Sequence, residues 1–201
     1  MSYPAQLYHF GKSQYLCDFV SKGHISFGIA DCFTRDRLTK GQRDDEMKRT
    51  IIPSTKTTSV LVGQNLQSAQ TLKNLTSIKI GFGIQVSYFM KCFSLDYADE
   101  MYQDVGGDLC IEISRVAQFF ERFEDALKKQ LPDWAAFAAQ AQYWDFAHIP
   151  EWMNQRDLMF FKDSAKYSCQ KEYRIVLLPP DNFTSPKKRQ SLYLGSLADI
   201  A

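Results

Sequence analysis

The residues best suited to chemistry lie in the stretch Tyr-Ser-Cys-Gln-Lys-Glu-Tyr-Arg, which spans residues 167–174. Gln170, Glu172 and Arg174 stand at alternate positions, so on a β-strand their side chains point to the same face. A carboxylate between an amide and a guanidinium group is either a fixed negative charge beside a reacting centre or a member of a structural ion pair. The spacing alone leaves both interpretations open.

The residues that follow this group predict where it lies in the fold. Residues 175–178 are the apolar run Ile-Val-Leu-Leu, and Pro179 and Pro180 come directly after it. A short apolar run bounded by prolines is typical of a buried strand that ends where the prolines begin. The charged group is therefore expected at the entrance to a core strand.

Composition limits the kinds of protein that this chain can be. With 201 residues, 45% of them hydrophobic, the chain is long enough and apolar enough for one domain, residues 1–201, with a full core. Its 24 basic and 23 acidic residues give a net charge of +1, which indicates no general affinity for nucleic acid. A local basic patch stays possible, since residues 187–189 are Lys-Lys-Arg.

Membrane, secretory and metal-binding signals are missing from the sequence. It has no run of about eighteen apolar residues and no basic-then-apolar N-terminus, so we expect a cytoplasmic protein without a membrane partner. The five cysteines are odd in number and scattered singly, which favours reduced thiols. The three histidines lack ligand-like spacing, and there is no Cys-x-x-Cys pair, so no metal site is predicted.

Hydrophobic periodicity predicts an α+β fold with a mixed or antiparallel sheet and flanking helices, because strands and helices do not alternate regularly. The predicted strands are residues 6–10, 24–29, 84–94, 109–113, 175–178 and 190–195, and the predicted helices are residues 12–21 and 115–131.

Four segments give weaker signals. Residues 54–63 and 75–83 are expected to be β-rich connections, and residues 152–162 to return the chain to the sheet. Residues 133–144 are rich in alanine and aromatic residues and fit a helix, or a helix that leads into a strand.

The segment of residues 31–49 carries eleven charged residues and few apolar ones, so it cannot build a core. It is either a solvated helix or loop, or a lid over a polar ligand.

Three sequence motifs resemble those of a widespread, poorly characterised bacterial domain family. They are Cys-Phe-Ser at 92–94, Gly-Asp-Leu-Cys-Ile-Glu-Ile at 107–113 and Gln-x-Glu-Tyr-Arg at 170–174, with Met-Tyr at 101–102 and Phe-Lys at 161–162 between them. The resemblance covers most of the chain. The last motif is usually Glu-x-Glu-aromatic-Arg, and Gln170 replaces its first Glu. The family is similar to the ADP-ribosyltransferase-like fold, which implies a split β-sheet that holds NAD in a cleft.

The resemblance also implies roles for individual residues. Glu172 is the catalytic glutamate, and Gln170 orients the substrate. His9, Ser94, Tyr102 and Arg174 are the cofactor-binding residues, with NAD as the substrate. Cleavage of the nicotinamide–ribose bond builds oxocarbenium charge, which a fixed carboxylate stabilises.

Several residues near the predicted cleft also have a structural interpretation. His9 fits a strand histidine that bonds to backbone, Tyr102 fits a core residue, and Arg174 fits an ion pair elsewhere that ends the sheet. Lys162 and Tyr167 either line the same cleft or have packing roles.

The resemblance implies an NAD-dependent ADP-ribosyltransferase or NAD-cleaving enzyme of toxin or phage-defence type, acting on a macromolecular or nucleobase target. It predicts that Glu172→Ala abolishes NAD turnover and leaves the fold intact. The alternative is a non-catalytic nucleotide- or protein-binding module that uses the same cleft. A third possibility is a nucleic-acid-processing factor with contacts from residues 35–49 and 187–189.

Overall fold

The computed structural model describes residues 3–34, 38, 39, 42, 44, 47–51, 61, 62, 70, 71, 80–84, 86–144, 155–184 and 188–201. Eight residues of the charged segment at 31–49 (35–37, 40, 41, 43, 45 and 46), and most of the predicted connections at 54–63 and 75–83, lie outside these residues.

The described residues contain both helices and strands, as predicted. The helices are α1 (Ser13–Lys22), α2 (Glu100–Val105), α3 (Val116–Gln130), α4 (Gln155–Leu158) and α5 (Ser164–Tyr167), and there are 3₁₀ helices at Ala30–Thr34 and Ser168–Gln170. The strands are β1 (Leu7–Gly11), β2 (His24–Ile29), β3 (Lys48–Ile51), β4 (Leu61–Val62), β5 (Gln70–Thr71), β6 (Ile80–Gly83), β7 (Phe89–Ser94), β8 (Leu109–Ile113), β9 (Ala135–Gln140), β10 (Gln142–Trp144), β11 (Phe161–Asp163), β12 (Glu172–Leu178) and β13 (Arg189–Tyr193).

Seven of the strands form one antiparallel sheet, in which β12 lies between β7 and β9. Three two-stranded pairs lie outside it: β3 with β6 and β4 with β5 are antiparallel, and β10 with β11 is parallel. The predicted α+β class with a mixed or antiparallel sheet is confirmed. No described helix is long and apolar enough to cross a membrane.

One edge of the central strand β7 pairs with two different strands. Ser94, at one end of β7, pairs with Glu172 on one side and Tyr8 on the other. Met90, near the other end, pairs with Val176 on one side and Gly28 on the other. Strand β12 therefore follows one whole edge of β7, whereas β1 and β2 divide the opposite edge between them.

Helices α1 and α3 supply the main core on one face of the sheet. The buried positions of α3 recur every three or four residues, so one stripe of the helix faces the strands. These positions are Val116, Phe119, Phe120, Phe123 and Ala126. Each large side chain buried in this way contributes about 1.5–3 kcal/mol. Helix α1 adds Leu16 and Phe19 to the same face.

A smaller apolar cluster includes Met90 and Val176, which are opposite each other on β7 and β12 and lie on the other face of the sheet. Its remaining buried members are Ala30, Ile84, Tyr88, Leu158 and Met159. These residues bring the 3₁₀ helix Ala30–Thr34 and helix α4 against this second face.

Residues 133–144 form no helix, in contrast to the expectation for this Ala-rich stretch. Residues Ala135–Gln140 are strand β9, which pairs along its whole length with β12. Alanine favours helix by only a fraction of a kcal/mol per residue. Pairing with the buried strand β12 outweighs that preference.

Two other predictions need correction. The strand predicted over residues 84–94 begins only at Phe89. The sequence predicts that residues 152–162 return the chain to the sheet, but their described part, 155–162, contains α4 and the start of β11, and β11 pairs with β10 in a separate parallel pair.

A close backbone contact holds the start of β8 against the end of β1. A Cβ atom at Gly107 would lie 2.8 Å from the carbonyl oxygen and 2.9 Å from the nitrogen of Gly11. The amide of Asp108 donates to the same Gly11 carbonyl at 3.0 Å. Only glycine allows this approach at position 107.

Candidate functional site

Glu172 begins strand β12 at the centre of the sheet, and its side chain points to the face opposite α1 and α3. Antiparallel pairing places Tyr8, Ser94 and Glu172 side by side on β1, β7 and β12. Residues that pair in this way point to the same face. Glu172 is only 4% exposed, so its carboxylate lies within the protein.

Two cations hold the carboxylate of Glu172. The Nε atom of Arg174 donates to Oε1 at 2.7 Å, and the Nζ atom of Lys162 donates to Oε2 at 2.7 Å. Arg174 also donates from Nη1 to the carbonyl oxygen of Met159 at 2.6 Å. Because Arg174 is fully buried and Lys162 is 4% exposed, the three charges form a buried cluster. We call Lys162, Glu172 and Arg174 the ion cluster.

The ion cluster determines the ionisation of Glu172. Burial alone raises the pKa of this carboxyl, but the charges of Arg174 and Lys162 outweigh burial and hold the pKa far below its ordinary value. Glu172 is therefore a carboxylate at every physiological pH. Its two oxygens have about four acceptor positions, and Arg174, Lys162 and the thiol of Cys92 use three of them.

Gln170 lies at the same site but not on the strand where the sequence predicts it. It lies in the 3₁₀ helix Ser168–Gln170, not on the strand, and Lys171 turns the chain with a positive φ of 41°. The side-chain oxygen of Gln170 nevertheless accepts from Nζ of Lys162 at 3.0 Å. Positive φ is uncommon for a residue other than glycine and is concentrated at functional sites.

Ser94 fixes the backbone around the site. Its hydroxyl oxygen lies 2.9 Å from the carbonyl oxygen of Gln170 and 2.7 Å from that of Asp96. A serine hydroxyl has one hydrogen to donate, so these two carbonyl groups share it. Ser94 thereby ties the end of β7 to the turn that precedes Glu172.

Residues outside the strands complete the support of the ion cluster. Lys162, on β11, lies over the ring of Tyr167 with 4.4 Å between Nζ and the ring centroid. The amide of Glu172 donates to the hydroxyl oxygen of Tyr143 at 2.7 Å. The sequence predicts that Lys162 and Tyr167 either line the cleft or have packing roles. No signal in it points to Tyr143.

A cleft of about 110 Å³ opens beside the ion cluster. Ser94, Gln170 and Glu172 line it together, so three of the predicted site residues converge on one cavity. The other lining residues are Tyr8, Phe10, Phe33, Gln42, Met90, Cys92, Phe93, Met101, Val105 and Lys162. Its walls combine aromatic and apolar side chains with six polar ones, so the cleft has both apolar contacts and hydrogen-bonding groups.

His9 does not join this cleft. Because side chains alternate along β1, His9 points to the face opposite Tyr8, where it packs edge-on against Phe19 and Phe93. It is buried, and its Nδ1 atom has no hydrogen-bond partner. Burial first, and then the charge of Lys91, hold its pKa well below the ordinary value, so His9 is a neutral core residue.

Tyr102 and Arg174 lie next to the cleft rather than in its lining. The ring of Tyr102 packs edge-on against Phe10, which does line the cleft, with 5.2 Å between ring centroids. Arg174 supports Glu172 from within the protein.

Cys92 is the one thiol in the cleft lining. Burial first, and then the carboxylate of Glu172, raise the pKa of this thiol well above its ordinary value. A protonated thiol is a poor nucleophile, so Cys92 is a packing residue here.

The described residues contain no group of three His, Cys, Asp or Glu side chains that could hold a metal ion. The charged groups available for chemistry in the described cleft are therefore Glu172 and Lys162. A permanently ionised carboxylate in a small cleft can stabilise positive charge that develops on a bound molecule.

Comparison with protein-family models, with curated proteins and with solved structures finds no match for this chain.

Proposed function

We propose that the chain cleaves the nicotinamide–ribose bond of NAD and transfers ADP-ribose to a macromolecular or nucleobase acceptor, or to water. The observation that carries the proposal is the convergence of Ser94, Gln170 and Glu172 on one cleft, although they are up to 78 positions apart in the sequence (172 − 94 = 78). A toxin or phage-defence setting is part of the same proposal.

In this mechanism Glu172 acts through its charge. Loss of nicotinamide leaves positive charge on the ribose, and a carboxylate that is already ionised and fixed in place stabilises that charge without reorganisation. The remaining acceptor position on its oxygens suits a ribose hydroxyl. Gln170 holds one side of the site through Lys162. The division of the β7 edge between β1 and β2 supports the split sheet that the resemblance implies.

Blocking the cleft tests the proposal without disturbing the ion cluster. Val105 lines the cleft at the end of α2, so Val105→Phe fills part of the 110 Å³. Val86→Phe is the matched control, because Val86 is 46% exposed and does not line the described cleft. Nicotinamide release from NAD, followed by chromatography, should fall at least about tenfold in Val105→Phe and stay unchanged in Val86→Phe.

A second pair of variants separates the charge of Glu172 from its structural role. Glu172→Gln removes the carboxylate. Lys162→Met removes one of its cations and leaves the carboxylate in place. Activity per folded molecule should be lost in Glu172→Gln and only reduced in Lys162→Met, because Lys162 lines the same cleft and holds Gln170. A wild-type chain that neither binds NAD nor releases nicotinamide contradicts the proposal.

One observation favours a second candidate function, a non-catalytic module that binds a nucleotide or protein in the same cleft. Both oxygens of Glu172 are engaged by buried cations, which suits a structural carboxylate. In that case NAD, ADP-ribose or a protein partner raises the melting temperature, and no nicotinamide is released under any condition.

A further inference from the structure

Four aromatic rings from three parts of the chain meet at the mouth of the cleft. Tyr8 and Phe10 come from β1, Tyr97 from the loop after β7, and Tyr102 from α2. The centroid of the Tyr97 ring lies 6.0 Å from that of Tyr8, 5.8 Å from that of Phe10 and 6.4 Å from that of Tyr102. We call these four residues the aromatic platform.

The platform is open to solvent at Tyr97 and continuous with the cleft at Tyr8 and Phe10. Tyr97 is 52% exposed, although a large aromatic ring gains free energy from burial. Tyr8 and Phe10 belong both to the platform and to the cleft lining. A molecule that lies on Tyr97 can therefore reach into the cleft that contains Glu172.

The charged groups around the platform are mainly carboxylates. The hydroxyl of Tyr97 donates a hydrogen bond to Oδ1 of Asp99 at 2.8 Å. Glu112 lies opposite Tyr8 where β1 pairs with β8. Among the described contacts, the carboxylate of Glu112 accepts a hydrogen bond only from the neutral amide of Gln6, at 2.6 Å from Nε2. Asp96, the third carboxylate, is bound by Lys171. This charge distribution favours cations over the long run of phosphates of a nucleic acid.

We propose that the aromatic platform docks a basic polypeptide segment, with an arginine or lysine side chain stacked on Tyr97 and directed toward the cleft. Aromatic rings attract guanidinium and ammonium groups through their negative faces, and the neighbouring carboxylates add charge complementarity. Nucleic acid also stacks on aromatic rings, but its phosphates would face Glu112 and Asp99. The inference goes beyond the proposed function, because docking needs no NAD chemistry.

The test uses the full chain without NAD, so its result does not depend on the proposed activity. Fluorescein-labelled peptides of alternating Arg and Gly, and of alternating Glu and Gly, are compared with a single-stranded RNA by fluorescence anisotropy at low and high salt. The basic peptide should bind, and salt should weaken its binding. Equal or tighter binding of the acidic peptide or of the RNA would overturn the proposal.

Matched variants locate the surface. Tyr97→Ala should weaken peptide binding at least about threefold, whereas Tyr97→Phe keeps the ring and should retain binding. Tyr15→Ala is the control, because Tyr15 is 67% exposed on α1, away from the platform. Glu112→Gln should lower both the affinity and its dependence on salt. Equal losses in Tyr97→Ala and Tyr15→Ala would show that the peptide binds elsewhere.

Discussion

The Nζ atom of Lys162 lies 2.7 Å from Oε2 of Glu172, and both side chains are about 95% buried. A buried ion pair of this kind is costly to break, because removal of one partner leaves the other charge uncompensated inside the protein. In this chain the consequence is larger than for a simple pair, since Arg174 depends on the same carboxylate.

Glu172→Gln should therefore lower the free energy of unfolding by about 3–5 kcal/mol, because two buried cations lose their counter-charge. Lys162→Met should cost less, about 1–3 kcal/mol, because Arg174 still neutralises Glu172. Urea denaturation of both variants measures the difference. The expectation from sequence that Glu172→Ala leaves the fold intact conflicts with this arrangement. Equal losses in the two variants would contradict the asymmetry.

Stability should fall with acid in a way that depends on Glu172. Its pKa is lowered in the folded protein from an ordinary value of 4.5, so below about pH 4.5 the unfolded chain takes up a proton that the folded protein excludes. The stabilisation is complete above that pH and is lost as the pH falls. Urea midpoints between pH 5 and pH 3 should decline less steeply in Glu172→Gln than in the wild type.

His9 should add a separate sensitivity in the mildly acidic range. Because its pKa is well below 6.5 in the folded protein, the unfolded chain binds a proton near pH 6.5 that the buried ring does not. Stability should therefore decrease as the pH falls from 7.5 to 5.5. His9→Phe, which keeps a ring between Phe19 and Phe93, should remove this part of the dependence. An unchanged slope would show that His9 titrates normally.

The contact between Gly107 and Gly11 gives an asymmetric prediction. Gly107→Ala places a methyl group within 3.0 Å of the Gly11 backbone and should cost about 1–3 kcal/mol. Gly11→Ala is the control, because its Cβ atom would meet only the side chain of Leu16 at an ordinary 3.5 Å. Thermal melts compare the two, and Gly11→Ala should be the milder change.

Cysteine labelling tests the environment of the cleft. Cys17 and Cys169 are exposed, whereas the pKa of Cys92 is raised by its burial and by Glu172. Iodoacetamide at pH 8 should label Cys17 and Cys169 in the native protein and Cys92 only after unfolding. Peptide mass spectrometry identifies the sites. Rapid native labelling of Cys92 would show that its thiol is not held in the protonated state.

Much of the fold could be predicted where the local pattern and the tertiary structure agree. The helix predicted over 115–131 is α3, and the strands predicted over 24–29 and 109–113 have the observed bounds. Strand β9 could not be predicted, because its alanines favour a helix and only the pairing with β12 makes it a strand.

The candidate site was predictable only in part, for a related reason. Glu172 and Arg174 share a face because they are two residues apart on one strand, which the sequence encodes directly. Lys162 and Tyr143 reach Glu172 from other elements, and that approach depends on how β10, β11 and β12 pack. His9 was expected to contact NAD, but one position along β1 decides which face its side chain occupies, and it occupies the core face.

The divided edge of β7 has a consequence for how the chain acquires its structure. Strand β1 pairs with β7 and β8, and β2 pairs with β7 and β13, so the N-terminal strands pair with residues about 60 to 170 positions further along. Such a high contact order slows folding. A nascent chain cannot complete its central sheet until Tyr193 has left the ribosome, and until then the apolar faces of β1 and β2 lack part of their cover.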